Sequence, residues 1–282
     1  MAGKANETYT APPGIRRERG VLSRLEYMGC RCISKGSTPP GEHGFDAVSG
    51  RSCIALDFDG TLILEHVPIV WVLFLLRFSN WTLTRRLAFM VKSAVRGTAA
   101  LMLSRGAAWA PWAVRATFGA FKGVEVESLA ALVHGAPMPS TPGSAHTLHL
   151  NPSVMTILRA ILCSFRSHPE VHVYSQGSSR EVVQQFLDRS DVRKCFDEIG
   201  VSPAAIVVHA NRMIADRNGC FTGGVEGMIL TKFNRLDMMP HQTVFIGDDA
   251  DERILNRLPL GKTIRFINWR RWEGLKTQAG RA

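Results

Sequence analysis

The stretch SCIALDFDGTL, residues 52–62, places two acids directly after a short apolar run. An apolar run of this length that ends in acids is typical of a parallel strand buried on both faces. Residues two apart on a strand share a face, so Asp57 and Asp59 can serve one site in different ways once the chain opens into a loop. Gly60 beside them permits a tight backbone and the close approach of a ligand.

Other segments repeat this apolar character. They are VHVYS (171–175), TVFIGDD (243–249) and TIRFIN (263–268), with AAIVVHA (204–210) as a fifth candidate strand. Helical patterns stand between the strands: SSREVVQQFLD, in which Ser178 and Glu181 have the spacing of a capping box, and DERILNRL. This alternation predicts an α/β fold with a doubly wound, Rossmann-like parallel sheet.

Polar residues stand at the ends of three predicted strands. They are Asp57 and Asp59, then Ser175, then Asp248 and Asp249. Ligands of open α/β sheets collect at the carboxyl ends of the strands, so the sequence predicts one site there. Further along the chain, Asn218-Gly219 is a strong signal for a hairpin turn.

The distance from Asp59 to the second strand is about 110 residues, far too long for a crossover. We therefore predict a helical cap domain at residues 64–150, inserted into an α/β core made of residues 51–63 and 151–282. Glycine and proline in residues 135–143 mark the return to the core. Residues 1–50 are rich in glycine, proline and charge with little periodicity, which predicts a flexible N-terminal tail.

Paired carboxylates at a strand end suit phosphoryl transfer. One carboxylate can attack phosphorus and form an aspartyl-phosphate, while the other protonates the leaving oxygen and later deprotonates water. Attack on a phosphate dianion needs a hard cation, and Mg²⁺ prefers oxygen ligands, which Asp248 and its acidic neighbours can supply. Ser175 and the backbone N–H groups after it can bind the phosphoryl oxygens, and Lys232 can add a positive charge.

The order DFDGTL, YSQGSS, Lys232, GDDADE resembles the haloacid dehalogenase-like superfamily of phosphohydrolases. The resemblance implies that Asp57 is the nucleophile and Asp59 the acid/base. It implies that Ser175, Gln176 and Lys232 bind the phosphate, and that Mg²⁺ is bound by Asp57, the main-chain carbonyl of Asp59, and Asp248. The fourth motif of that family usually has a second Asp where this chain has Glu252, so Asp249 and Glu252 are both candidates for supporting the metal.

The insertion resembles the helical cap that one subclass of the family carries between its first two motifs. The segment NGCFTGGVEG is similar to the phosphoserine-phosphatase-like branch, and Glu65 stands roughly where that branch keeps a substrate-contacting glutamate. The expected function is therefore Mg²⁺-dependent hydrolysis of a phosphate monoester. Two alternatives stay open: a phosphotransferase of the same fold, and a non-catalytic membrane-surface or regulatory protein that retains the fold.

The charge of the chain points to anionic partners. It has 34 Lys and Arg against 24 Asp and Glu, a net charge of +10. Residues 66–124 contain no acid but eight Lys and Arg and four of the six tryptophans. This pattern suits peripheral contact with an anionic membrane, where each basic residue contributes about 1 kcal/mol, and an amphiphilic or lipid-linked phosphate as substrate. It equally suits an ordinary helical bundle with its tryptophans in the core and a soluble substrate. No nucleic-acid-binding motif accompanies the charge, so no nucleic acid is expected.

The N-terminal segment MAGKANETYT is polar, and the six cysteines form no paired pattern. We therefore expect a cytoplasmic protein with reduced thiols, peripheral at the membrane if the insertion contacts lipid. The longest apolar run, residues 67–76, is too short to span a bilayer.

Overall fold

The computed structural model describes residues 31–33, 52–78, 81–104, 115, 117–134, 148–163, 169–226, 242–255 and 264–273. The strands in this part of the chain are β1 (Arg31–Ile33), β2 (Ser52–Asp57), β3 (Glu170–Ser179), β4 (Val207–Ala215), β5 (Phe221–Glu226), β6 (Gln242–Gly247) and β7 (Ile264–Asn268). The helices are α1 (Val67–Phe78), α2 (Leu83–Ser104), α3 (Glu127–His134), α4 (Pro152–Leu162), α5 (Arg180–Asp188), α6 (Ser190–Asp197) and α7 (Asp249–Leu255).

The strands form one sheet in the order β1-β7-β6-β2-β3-β4-β5. The five strands from β7 to β4 are parallel, and β1 and β5 are antiparallel at the two edges. β2 lies in the centre, and its residues 53–56 are fully buried, as the apolar run predicts. The sheet confirms the predicted Rossmann-like α/β class, in which both faces of a parallel sheet are covered.

The segment that follows β3 shows how the sequence builds the core. In α5, Val182, Val183 and Phe186 are spaced to share one face, and all three are buried. The helix packs against β3 and β4. The predicted hairpin is also present: β4 and β5 are antiparallel, and Gly219 has a φ of 72° in the turn between them.

Helices α1, α2 and α3 lie between β2 and β3 in sequence. The two ends of this insertion meet at an antiparallel bridge between Ile63 and Leu150. Around it, Leu64 N donates to His149 O at 3.1 Å, and Asn151 N donates to Leu62 O at 2.9 Å. Entry to and exit from the insertion are therefore adjacent. The boundaries of the cap domain stay a prediction, and its predicted return at residues 135–143 lies outside the described residues.

The arginine between α5 and α6 ties the insertion to the core. Arg189 is buried, and its Nη1 donates to the carbonyl oxygen of Leu148 at 2.7 Å and to that of Val133, in α3, at 3.3 Å. Its other nitrogens bind Asp191, so the buried charge is paired. Buried charges are tolerated when they are paired and fully hydrogen-bonded in this way.

Two of the insertion's tryptophans are placed by the structure. Trp71 is buried and stacks on Phe121, with ring centroids 3.9 Å apart. Trp81 is half-buried and packs edge-on against Phe89. Trp71 therefore belongs to the core of the insertion, which is the ordinary-bundle interpretation for that residue. Trp109 and Trp112 lie outside the described residues.

Two details differ from the sequence prediction. Residues 31–33, predicted to belong to a flexible tail, form β1 and pair with β7; the rest of residues 1–50 lies outside the described part. β4 begins at Val207 because residues 203–205 form a single helical turn that starts at a proline.

None of the described helices combines the length and the apolar character needed to cross a bilayer. The described cysteine side chains, those of Cys53, Cys163, Cys195 and Cys220, are free thiols.

Candidate active site

Three neighbouring parallel strands deliver polar residues to one edge of the sheet. Asp57, the last residue of β2, lies opposite Tyr174 on β3, so Ser175 follows immediately beyond it. On the other side Leu56 lies opposite Ile246, which places Asp57 beside Gly247 and one position before Asp248. Adjacent strands are about 4.8 Å apart. The structure therefore brings together the first, second and fourth predicted motifs.

After β2 the chain makes a tight turn over Phe58–Leu62, which depends on Gly60. Its φ is 71°, a left-handed conformation that residues with a Cβ rarely adopt. Its N–H donates to Glu65 O at 3.0 Å, and its carbonyl accepts from Trp269 Nε1 at 3.1 Å. A Cβ at this position would lie 2.8 Å from the ring of His66. The tight backbone predicted at Gly60 is thus confirmed.

The carboxylate of Asp57 is buried at the base of this turn. The residue is only 3% exposed, and its Oδ2 accepts a hydrogen bond from Thr61 Oγ1 at 3.1 Å. Thr61 is itself fully buried, so the bond is shielded from water. A buried carboxylate held by a hydroxyl four residues later has a defined orientation at the strand end.

Asp59 is held by three donors from two other elements. Ser175 Oγ donates to Oδ2 at 2.6 Å, Ser178 Oγ donates to Oδ1 at 2.7 Å, and the N–H of Val67, the first residue of α1, donates to Oδ1 at 3.1 Å. Both serines are buried. Three hydrogen bonds from two elements fix the position and orientation of this carboxyl group.

A bulge in β3 brings both serines to Asp59. From Tyr174 to Ser179 the chain advances five residues, whereas β4 advances two, from His209 to Asn211. Bulges of this kind re-aim side chains next to active sites. Ser178 N donates to Ser175 Oγ at 2.8 Å, and the buried side chain of Asn211 donates to the carbonyl of Gln176 at 3.0 Å. The bulge is therefore held from inside and from the neighbouring strand.

The predicted capping box at Ser178 and Glu181 is wrong. The residue that caps α5 is Ser179, whose Oγ accepts from Val182 N at 3.3 Å. The helix begins one residue later than the spacing suggests, because Ser178 lies in the bulge and binds Asp59. Ser178 is thus a site residue that the sequence interpretation assigned to the helix. Thr61 was missed as well, although it stands in the first motif.

The fourth motif forms the start of α7. Asp248 Oδ1 accepts from the N–H groups of Ala250 at 2.8 Å and Asp251 at 3.2 Å, which caps the helix. Its Oδ2 accepts no hydrogen bond from any described residue. The carboxylate of Asp251 turns back toward β6, since its Oδ2 lies 2.5 Å from where a Cβ on Gly247 would be. Both Asp248 and the carboxylate of Asp251 therefore lie at the end of β6.

Asp249 and Glu252 are both engaged by Asn268 at the end of β7. Asn268 Nδ2 donates to Asp249 Oδ1 at 2.7 Å and to Glu252 Oε2 at 2.9 Å. Glu252 is buried and also pairs with Arg271 at 3.1 Å. Their metal-supporting role stays a prediction. Among the described residues, no group of three or more His, Cys, Asp or Glu side chains is arranged to hold a metal by itself.

The remaining predicted residues have mixed outcomes. Gln176 is buried in the bulge beside Ser175, whereas Lys232 lies outside the described residues. Glu65 is bonded through both oxygens to His149: Oε1 lies 2.5 Å from Nδ1, and Oε2 accepts from the backbone N–H at 2.9 Å. The carboxylate expected to contact substrate therefore joins the two ends of the insertion.

No protein-family model matches the chain, and a search of curated proteins finds no match. The fold is similar to solved structures. One is a phospho-aspartyl intermediate analogue of phosphoserine phosphatase (16% identity, TM-score 0.42, 73% of this chain and 81% of that chain). Another is a substrate-bound phosphoserine phosphatase complex (18%, 0.41, 73% and 81%). A third is a phosphoserine phosphohydrolase-like protein from Francisella tularensis subsp. tularensis SCHU S4 (15%, 0.47, 79% and 92%).

Proposed function

We propose that this protein is a phosphatase that hydrolyses phosphate monoesters through an aspartyl-phosphate on Asp57. The observation that carries the proposal is the pairing of two differently held carboxylates at the end of the central strand. Asp57 is buried and accepts a hydrogen bond from the hydroxyl of Thr61, while Asp59 is fixed by the hydroxyls of two serines and by a helix N–H. This difference supports Asp57 as the nucleophile and Asp59 as the group that moves a proton.

The reaction has two displacements at phosphorus. In the first, an Asp57 oxygen forms a bond to phosphorus as the bond to the ester oxygen breaks, and Asp59 gives its proton to that leaving oxygen. In the second, Asp59 takes a proton from water as the water oxygen attacks phosphorus. The phosphorus–Asp57 bond then breaks, which releases inorganic phosphate and restores both groups. Ser175 and the backbone N–H groups that follow it in the β3 bulge would donate to the phosphoryl oxygens once substrate is bound.

Magnesium fits the acids at this edge of the sheet. Two like charges about 4 Å apart repel by about 4 kcal/mol at an effective dielectric constant of about 20. Without a cation, Asp57 and Asp248 would therefore repel a phosphate dianion. Bound Mg²⁺ would supply the charge that offsets this repulsion. Asp57, the carbonyl of Asp59, and Asp248 would hold it. Asp248 Oδ2 accepts no hydrogen bond from any described residue, and Mg²⁺ typically binds through one or two carboxylates plus water and substrate phosphate.

Chelation of divalent metal with EDTA is expected to lower the rate of phosphate release by ~10²-fold or more, because the repulsion is then unopposed. Excess Mg²⁺ should restore the rate. Asp248→Asn should raise the Mg²⁺ concentration needed for half-maximal binding about tenfold, measured by titration calorimetry without substrate. Asp197→Asn, an exposed acid at the end of α6, is the matched control and should leave Mg²⁺ binding unchanged. A full rate in EDTA would contradict the metal requirement.

Ser178→Ala is expected to lower kcat about tenfold with little change in stability, because Asp59 loses one of the three hydrogen bonds that orient it. The neighbouring Ser179→Ala is the matched control, since both serines are buried and only Ser178 contacts Asp59. Loss of the Ser179 cap should cost about 1 kcal/mol of stability and leave kcat nearly unchanged. Steady-state kinetics and thermal unfolding of both variants separate the two roles; equal kcat values would remove Ser178 from the site.

Within phosphate monoesters, we propose an amphiphilic or lipid-linked substrate. The support is the character of the insertion, which is free of acids over residues 66–124 and exposes apolar side chains on α1 and α2. A panel of phosphate esters, including a lipid phosphate in vesicles, tests this through Mg²⁺-dependent phosphate release. A clear preference for small soluble esters would overturn the substrate proposal while leaving the phosphatase proposal intact.

A further inference from the structure

Helix α2 carries an apolar stripe on its outer face. The stripe consists of Leu83, Leu87, Met90, Val91 and Val95, which are between 45% and 73% exposed. At about 100° per residue these five positions lie within about 140° of one another around the helix. Contiguous exposed apolar surface of this kind marks an interaction site in a folded protein.

The opposite face of α2 is already anchored. Phe89 is buried, and its ring packs against those of Trp81 and Phe121, at 5.0 and 6.3 Å between centroids. Arg85 lies over Trp81 at 4.6 Å from the ring centre and donates to Gly123 O at 3.2 Å. The helix therefore buries one face in the insertion and presents the stripe outward as a second apolar face. A helix with only one neighbour ordinarily has a polar outer face.

The charge around the stripe indicates which kind of partner binds it. Lys92 stands beyond one border of the stripe and Arg86 beyond the other, and residues 66–124 contain eight Lys and Arg but no Asp or Glu, so this part of the surface is positively charged. A second copy of this helix would bring like charges together, which is unfavourable. An anionic lipid surface instead offers hydrocarbon to the stripe and negative headgroups to the borders, where long basic side chains extend along the apolar surface toward water.

We propose that α2 is a membrane-docking helix that lies flat on an anionic bilayer through the stripe. Helix α1 adds Ile69 and Leu73, one turn apart and each 61% exposed. The proposal concerns the insertion and does not depend on the chemistry at Asp57.

Co-sedimentation of the full chain with vesicles tests the proposal. One set of vesicles is pure phosphatidylcholine, and the other contains about 30% phosphatidylglycerol to give a negative surface. The protein is expected to pellet with the anionic vesicles at low salt and at least about tenfold less with the neutral ones. Raising the salt should weaken the binding, because it screens the contribution of the basic residues. No pelleting with anionic vesicles at low salt would overturn the proposal.

A matched pair of variants separates the stripe from general hydrophobicity. Val91→Glu places a charge in the stripe, and Val207→Glu makes the same change at a 42% exposed valine on β4. We expect Val91→Glu to reduce partitioning to anionic vesicles about tenfold and Val207→Glu to leave it within about twofold. Equal effects would overturn the proposal. So would a wild-type dimer that Val91→Glu dissociates without any loss of vesicle binding, since the stripe would then be a protein interface.

Discussion

Asp57→Asn is expected to lower the rate of phosphate release by ~10³-fold or more, because an amide cannot form the bond to phosphorus that a carboxylate forms. The substitution keeps the shape of the side chain, and the amide oxygen can still accept the hydrogen bond from Thr61. The fold should therefore survive, as judged by circular dichroism and thermal unfolding. Steady-state phosphate release in saturating Mg²⁺ measures the effect.

The proposed aspartyl-phosphate gives an independent check of the same residue. Wild-type protein quenched in acid during turnover should carry a phosphoryl group on the peptide that contains Asp57, and the asparagine variant should not. Mass spectrometry of the digested protein distinguishes the two. A variant that folds normally and releases phosphate at the wild-type rate would show that Asp57 is not the nucleophile.

Asp59→Asn should lower the rate ~10²- to 10⁴-fold, with a size that depends on the leaving group. A poor leaving group, such as an alkyl alcohol, needs a proton from Asp59 as it departs, whereas an activated phenolate does not. The variant should therefore form the aspartyl-phosphate normally from an activated aryl phosphate and then hydrolyse it slowly. A burst of released phenol, equal to the amount of protein and followed by slow turnover, is the expected signature.

The geometry around Asp59 defines the control for this second variant. The hydroxyls of Ser175 and Ser178 can rotate to suit an amide, so the three contacts need not be lost in Asp59→Asn. Ser178→Ala keeps the acid and weakens its orientation, so its defect should not depend on the leaving group in the same way. An Asp59→Asn variant that is equally slow with aryl and alkyl esters, and shows no burst, would argue against a proton-transfer role.

Local pattern was sufficient to predict the five parallel strands because each contains a short apolar run. β2 and β6 begin and end within a residue or two of their predicted limits. The convergence of Asp57, Ser175 and Asp248 followed from one topological rule, that parallel strands share a carboxyl edge. Those are properties of sequence periodicity and connectivity, and they need no knowledge of side-chain contacts.

What could not be predicted depends on register at single residues. A capping box and a bulge compete for the same serines, and spacing alone favours Ser178 as the cap, whereas the structure uses Ser179. The hydrogen bonds from Asn268 to the acids of α7 could not be predicted either. Asn268 belongs to the next strand, and its distance from α7 depends on how the helix packs against the sheet. Trp71 illustrates the same limit, because stacking on Phe121 depends on how the inserted helices pack.

The bridge between Ile63 and Leu150 lets the inserted helices leave and rejoin the sheet at one point. A segment inserted at this point can change in length or in its surface residues while the strands on either side keep their register, as tolerated insertions do in other proteins. The inserted helices can therefore diverge during evolution while the residues at the carboxyl edge of the sheet keep their positions.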